Sequence, residues 1–118
     1  GLYFYLISLY KRSITLTVRN ELIKQLNLTI TAIKTINQKN PTPMVKNILK
    51  RYEETKFFIQ HSSEEQFEEG FYYIKNKLDT LTRVYLESAN DYMNPMIREM
   101  HQTEMQLKKM VKSLRMDI

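Results

Sequence analysis

Leu9, Leu16, Ile23 and Ile30 recur every seven residues, and Leu26 and Ile33 supply the second row of a heptad seam. This spacing predicts a helix over residues 2–37. Upstream, the second row falls on Arg12 and Arg19. That end is therefore expected either to be less buried or to lay its arginine stems along the seam with only their heads in water. The β-branched run "SITLTV" leaves a strand as a local alternative.

"NQKNPTP" breaks the pattern, because each residue before a proline is pushed out of the α region. Thr42 is placed to cap a second helix, with Pro43 at its favoured first position. That helix carries Val45, Ile48, Leu49, Tyr52 and Ile59 on one stripe, widened by Phe57 and Phe58. In "HSSEEQFEEG", Ser62 and Glu65 have capping-box spacing, and four Glu in the first turns favour the positive end of the helix dipole. A third helix follows with Phe67, Phe71, Ile74, Leu78, Leu81 and Tyr85 in alternating steps of four and three. Gly70 within it costs about 1 kcal/mol against Ala, which points to a close approach by a neighbouring helix.

"SANDYMNP" reads as a connection, with Asn94 capping a fourth helix and Pro95 at its first position. The rival is a single helix kinked at Pro95, since Tyr85, Ala89, Met93, Met96, Met100, Leu107, Val111 and Leu114 run through the proline almost in phase. A turn is preferred, because one helix of more than about 50 residues leaves much apolar surface bare in a monomer. The expected fold is all-α: an up-down-up-down four-helix bundle, or a three-helix arrangement if helices 3 and 4 are fused. Helix 1 should measure ~50 Å and helix 2 ~25 Å, so helix 4 is the candidate cover for the excess.

Composition agrees. The 118 residues are 42% hydrophobic and 26% charged with two Gly and three Pro, which suits long helices in one domain, residues 1–118. The chain begins without Met and in mid-helix, which reads as a domain excised from a larger protein or a processed chain. Cysteine is absent, so disulfides, zinc-thiolate sites and thiol catalysis are excluded and a reducing, intracellular compartment is favoured. Asn27 in "NLT" then reads as an unglycosylated asparagine.

No catalytic constellation is present. A phosphate loop lacks its glycines, and neither His61 nor His101 follows a Glu by three residues, as a di-iron bundle would require. Glu64, Glu65, Glu68 and Glu69 with His61 read as a solvated helix start rather than a cation site. The expectation is a non-enzyme with no metal and no cofactor.

Charge is uneven along the chain. Residues 1–61 hold ten Lys/Arg against three Asp/Glu, and residues 62–97 hold three against seven. Lys46, Lys50 and Arg51 form a short basic face, but Glu53 and Glu54 interrupt it and no aromatics are displayed beside it, so nucleic acid is disfavoured. In "EMQLKKMVKSLRM", Lys108, Lys109, Lys112 and Arg115 make a basic side opposite Leu107, Met110, Val111 and Leu114. Six of the seven methionines lie between Met93 and Met116, and a thioether-rich face repacks easily around partners. Such a helix can dock in a partner's groove, lie on an anionic membrane, or simply be the bundle's own core.

The opening "GLYFYLISLYKRS" is apolar from Leu2 to Tyr10 except for Ser8. It is too short to span a bilayer, which takes ~20 apolar residues, though it could be the last turns of a span with Lys11 and Arg12 at the boundary. Enclosure by protein is preferred. The expected interface is Tyr3, Tyr5, Leu6, Leu9 and Tyr10 together with Met100, Leu107, Met110, Val111 and Leu114 of the last helix. The leading functional expectation is an interaction or scaffold module that binds partner helices or a second copy of itself. A membrane-proximal domain and a weak nucleic-acid binder are the alternatives.

Overall fold

The computed structural model describes residues 1–88 and 94–114, the side chains of Lys11, Thr15, Glu64, Ser88, Ser113 and Leu114 excepted. Four helices follow one another: α1 (Leu2–Lys39), α2 (Pro43–His61), α3 (Glu64–Ser88) and α4 (Pro95–Leu114). There is no strand among the described residues, so "SITLTV" is helical. The helices pack as a ring: α1 touches α2 and α4, and α3 touches the same two. α3 and α4 therefore lie side by side, which a single kinked helix could not do. The three-helix alternative is set aside.

The helix starts follow local chemistry. The Thr42 hydroxyl accepts from the Val45 N–H at 3.1 Å, with Pro43 at the first helical position. The Asn94 side-chain oxygen accepts from the Met96 N–H at 2.8 Å, and its amide donates to the Tyr85 hydroxyl at 3.1 Å. The capping box of α3 sits one residue later than the spacing of Ser62 and Glu65 suggests. Ser63 accepts from the Gln66 N–H at 3.2 Å while Gln66 accepts from the Ser63 N–H at 3.1 Å. Ser62 instead ends α2, its N–H and hydroxyl both donating to the Phe58 carbonyl.

The core is built from Leu22, Leu26, Ile30 and Ile33 of α1, the Val45–Ile48–Tyr52–Ile59 stripe of α2, Phe67, Phe71, Ile74, Leu78 and Tyr85 of α3, and Met96, Ile97, Met100, Leu107 and Met110 of α4. Among the described side chains, one buried threonine comes from each helix: Thr29, Thr55, Thr82 and Thr103. Each hydroxyl lies within hydrogen-bonding distance of the carbonyl four residues back, so burial leaves none unsatisfied.

Gly70 permits the close approach that its cost implied. A Cβ there would come within 2.6 Å of the Phe58 ring of α2. Replacement Gly70→Ala should gain much less than the ~1 kcal/mol expected from helix propensity, because the ring must move. In a Phe58→Ala background the full gain should return. Denaturant unfolding of the four chains of this double-mutant cycle measures the difference.

Tyr52 is fully buried, and its hydroxyl lies near Thr82 without a hydrogen bond of normal geometry. Burial drives the phenol far above its ordinary value of 10.0, and the neighbouring Thr82 offsets only part of that shift. The folded state thus holds this proton more tightly than the unfolded chain. Its contribution is complete below pH ~10 and is lost as pH rises beyond it. Tyr52→Phe should keep or raise stability at neutral pH, by up to about 1 kcal/mol, because the orphaned hydroxyl disappears. It should also flatten the alkaline fall, as read from urea midpoints between pH 8 and 11.

Candidate interaction surface

Helix lengths decide what is covered. At 1.5 Å per residue the 38 residues of α1 reach ~57 Å, against ~28 Å for α2, ~37 Å for α3 and ~30 Å for α4. The molecule is 58 Å long and 24 by 20 Å across, so α1 alone sets its length. Burial within α1 starts at Leu22, with Val18 and Arg19 half-buried just above it.

Two sets of polar contacts fix this level. Arg19 reaches the last turn of α2: its Nε donates to the Ile59 carbonyl at 2.9 Å, and its Nη2 donates to the same carbonyl and to that of Ser62 at 2.9 Å. Those carbonyls have no partner within their own helix. The guanidinium also lies 4.8 Å from the centre of the Phe67 ring, which ties α1 to the start of α3. On the other side, α1 and α4 run antiparallel. The Thr29 and Thr103 hydroxyls are 2.8 Å apart, Gln25 donates to the Glu99 carboxylate at 2.8 Å, and Lys109 sits 3.9 Å from Glu21. Continued at that register, the end of α4 draws level with Leu16.

Before that level most of the apolar side chains project, while Ile7 and Ile14 are half-buried. Leu2, Tyr3, Phe4, Tyr5, Leu6, Leu9 and Tyr10 expose between 42% and 73% of their surface, and Leu16 is exposed as well. The four aromatic rings alone leave roughly 500 Å² bare, taking 150–250 Å² for each. That already matches the largest apolar patch on a typical monomer, about 300–600 Å². Among the described residues the expected cover by α4 does not extend to them, because Leu114 is level only with Leu16.

The structure separates the residues that the sequence grouped into one interface. Tyr3, Tyr5, Leu6, Leu9 and Tyr10 stand on the overhang. Met100, Leu107 and Met110 are fully buried in the core and Val111 is packed against it. This is a correction: Met100, Leu107 and Met110 belong to the bundle's own core, and among these residues α4 offers no open groove. The Leu114 side chain and Arg115 lie outside the described residues.

Among the described residues the basic positions form no continuous field. Lys46 and Lys50 are exposed, while Arg51 lies 3.3 Å from Glu54 and Lys34 lies 3.7 Å from Glu53. Lys108 and Lys112 are exposed, with Lys109 beside Glu21. Exposed pairs of this kind contribute little stability, but they break up the positive potential.

The concave features are shallow. One groove of about 350 Å³ between α3 and α4 is lined by Asp79, Thr82, Arg83, His101 and Glu104, with His101 and Glu104 3.4 Å apart. Another, of about 510 Å³, follows the α2–α3 corner past Phe57, Phe58 and Gly70. Among the described residues no group of three His, Asp or Glu side chains is placed to hold a metal ion.

Comparison with known proteins falls on the same boundary. A family model described as "YeeD uncharacterised protein" matches residues 17–114. The chain belongs to the YeeD family. The uncharacterized protein YeeD of Bacillus subtilis (strain 168) is 75% identical over 93 residues, which cover 79% of this chain and 92% of that protein. No solved structure matches. The YeeD match opens at Thr17, next to the first half-buried core contact at Val18, so it coincides with the packed bundle and leaves most of the overhang outside it.

Arg19 is the residue whose role sequence reasoning came nearest to and did not reach. Its place in the row of Leu26 and Ile33 was the signal. Arg19→Met, which keeps the apolar stem, should lower stability by about 2 kcal/mol through lost charged hydrogen bonds. Lys50→Met should stay within about 0.5 kcal/mol of the parent. Chemical unfolding of both variants checks the contrast.

Proposed function

We propose that this chain is a non-enzymatic helix-docking module: a four-helix bundle that holds out the first turns of α1 for a partner helix. One observation carries the reading, namely the exposure of Leu2–Tyr10 beyond a bundle whose remaining core is closed. Burying an apolar side chain of this size is worth roughly 1.5–3 kcal/mol, so seven of them represent a strong drive towards association.

The pattern favours a helix over lipid as the cover. Leu2, Leu6, Leu9 and Leu16 keep steps of four and three and then seven, and this spacing continues past the cations at 11 and 12. A helical partner reads such a register, whereas a bilayer needs only apolarity. Among the described residues no helix is long and apolar enough to cross a membrane.

Two carboxylates on the overhang test the role. The double replacement Leu6→Glu, Leu9→Glu should leave the thermal midpoint of the dilute chain within a few degrees of the parent, because these side chains are not part of the closed core. The parent should not float with anionic vesicles. A collapse of the dilute melting transition in the double variant would return the overhang to the bundle's own core. Flotation of the parent that the two glutamates abolish would assign the surface to lipid. Either result overturns the docking role.

A further inference from the structure

We infer that the occupant of the overhang is a second copy of this chain, paired antiparallel over residues 2–13. The inference rests on the docking role proposed above and names its partner. Its basis is the register of α1. Leu2, Leu9 and Leu16 form one heptad row, with Leu6 and Ser13 in the adjoining row. Tyr3 and Tyr10 flank this seam on one side, and Tyr5 and Arg12 flank it on the other. Ser8 falls on the opposite face.

The bundle itself selects the direction of approach. The row that is open at Leu2, Leu9 and Leu16 continues downstream into Ile23 and Ile30, and these are half-buried and buried by the chain's own helices. A parallel partner would have to run its α1 on into that occupied space. An antiparallel partner enters from the open end and carries its bundle away beyond Leu2. Two such overhangs form an isologous, closed interface.

Side-chain chemistry selects the register. In antiparallel packing, one row of each helix faces the other row of its partner. Setting Leu6 opposite Leu9 of the second copy places leucine against leucine in both central layers and Leu2 against Ser13. The same register brings Arg12 towards Tyr5 of the second copy rather than towards its own equivalent. That contact has a precedent within the fold, where Arg19 lies over Phe67. A shift by one heptad would bring the two Arg12 side chains together. The area supports the pairing: Tyr3, Tyr5 and Tyr10 leave roughly 400 Å² of ring surface bare beside this seam, and Leu2, Leu6 and Leu9 raise it towards the ~800 Å² per partner of a standard interface.

The chain has no cysteine, so introduced thiols report contacts without background. Leu2→Cys and Ser13→Cys full-length chains, oxidised separately and as an equal mixture, should give a mixed disulfide several-fold in excess of either homodimer. Sedimentation of the parent chain should show a dimer that dissociates on dilution. A Leu2→Cys chain that cross-links readily to itself would mean parallel pairing and overturns the inference, as would a parent that stays monomeric at every concentration. Neither outcome touches the docking role, which is decided by the dilute melting and vesicle measurements of the two-glutamate variant.

Discussion

A helix of 38 residues cannot be covered by neighbours of 19 to 25. The rest of the architecture follows from that mismatch. The bundle closes around the C-terminal half of α1, where every neighbour can reach, and the N-terminal turns continue without one. Backbone hydrogen bonding keeps those turns helical, and most of their apolar side chains stay exposed, Ile7 and Ile14 being half-buried. The molecule is thus a closed core with an open arm on one continuous helix.

The boundary between the two parts is chemically marked. Arg19 supplies donors to carbonyls that end α2 and stacks on the first core aromatic of α3, so one side chain joins three helices at the rim. Below it, Thr29, Gln25, Glu99 and Thr103 hold α1 and α4 in register, which apolar packing alone would leave free to slide. Overhang and core are separate for this reason. Met96, Met100 and Met110 of α4 fill irregular space inside the bundle, and the leucines and tyrosines of the overhang remain outside it.

Much of this was legible in the chain. Pro41 and Pro43 with Thr42, and Asn94 with Pro95, name the breaks and caps by chemistry that acts within a few residues. The core stripes of α2 and α3 follow from spacing alone. Three features were not legible, each for a physical reason. Ser62 and Ser63 are equally good caps, and only the position of Gln66 decides between them. The heptad row through Leu9 and Leu16 adjoins the row that is buried, in which Thr29 stands where an apolar residue would have advertised it. An amphipathic face such as that of Met100, Leu107 and Met110 looks the same whether its partner is another helix of the chain or another molecule. Which face is covered depends on how far the neighbouring helices reach, and no local pattern carries that length.

Amide hydrogen exchange along α1 tests this division most directly, since both regimes lie on a single helix. The account predicts that amides of residues 22–36 are protected to near the free energy of global unfolding at every protein concentration. Those of residues 6–16 should exchange quickly in dilute solution and slow as concentration rises. Uniform protection along the whole of α1 in dilute solution would contradict it, because the overhang would then already be sheltered within one chain.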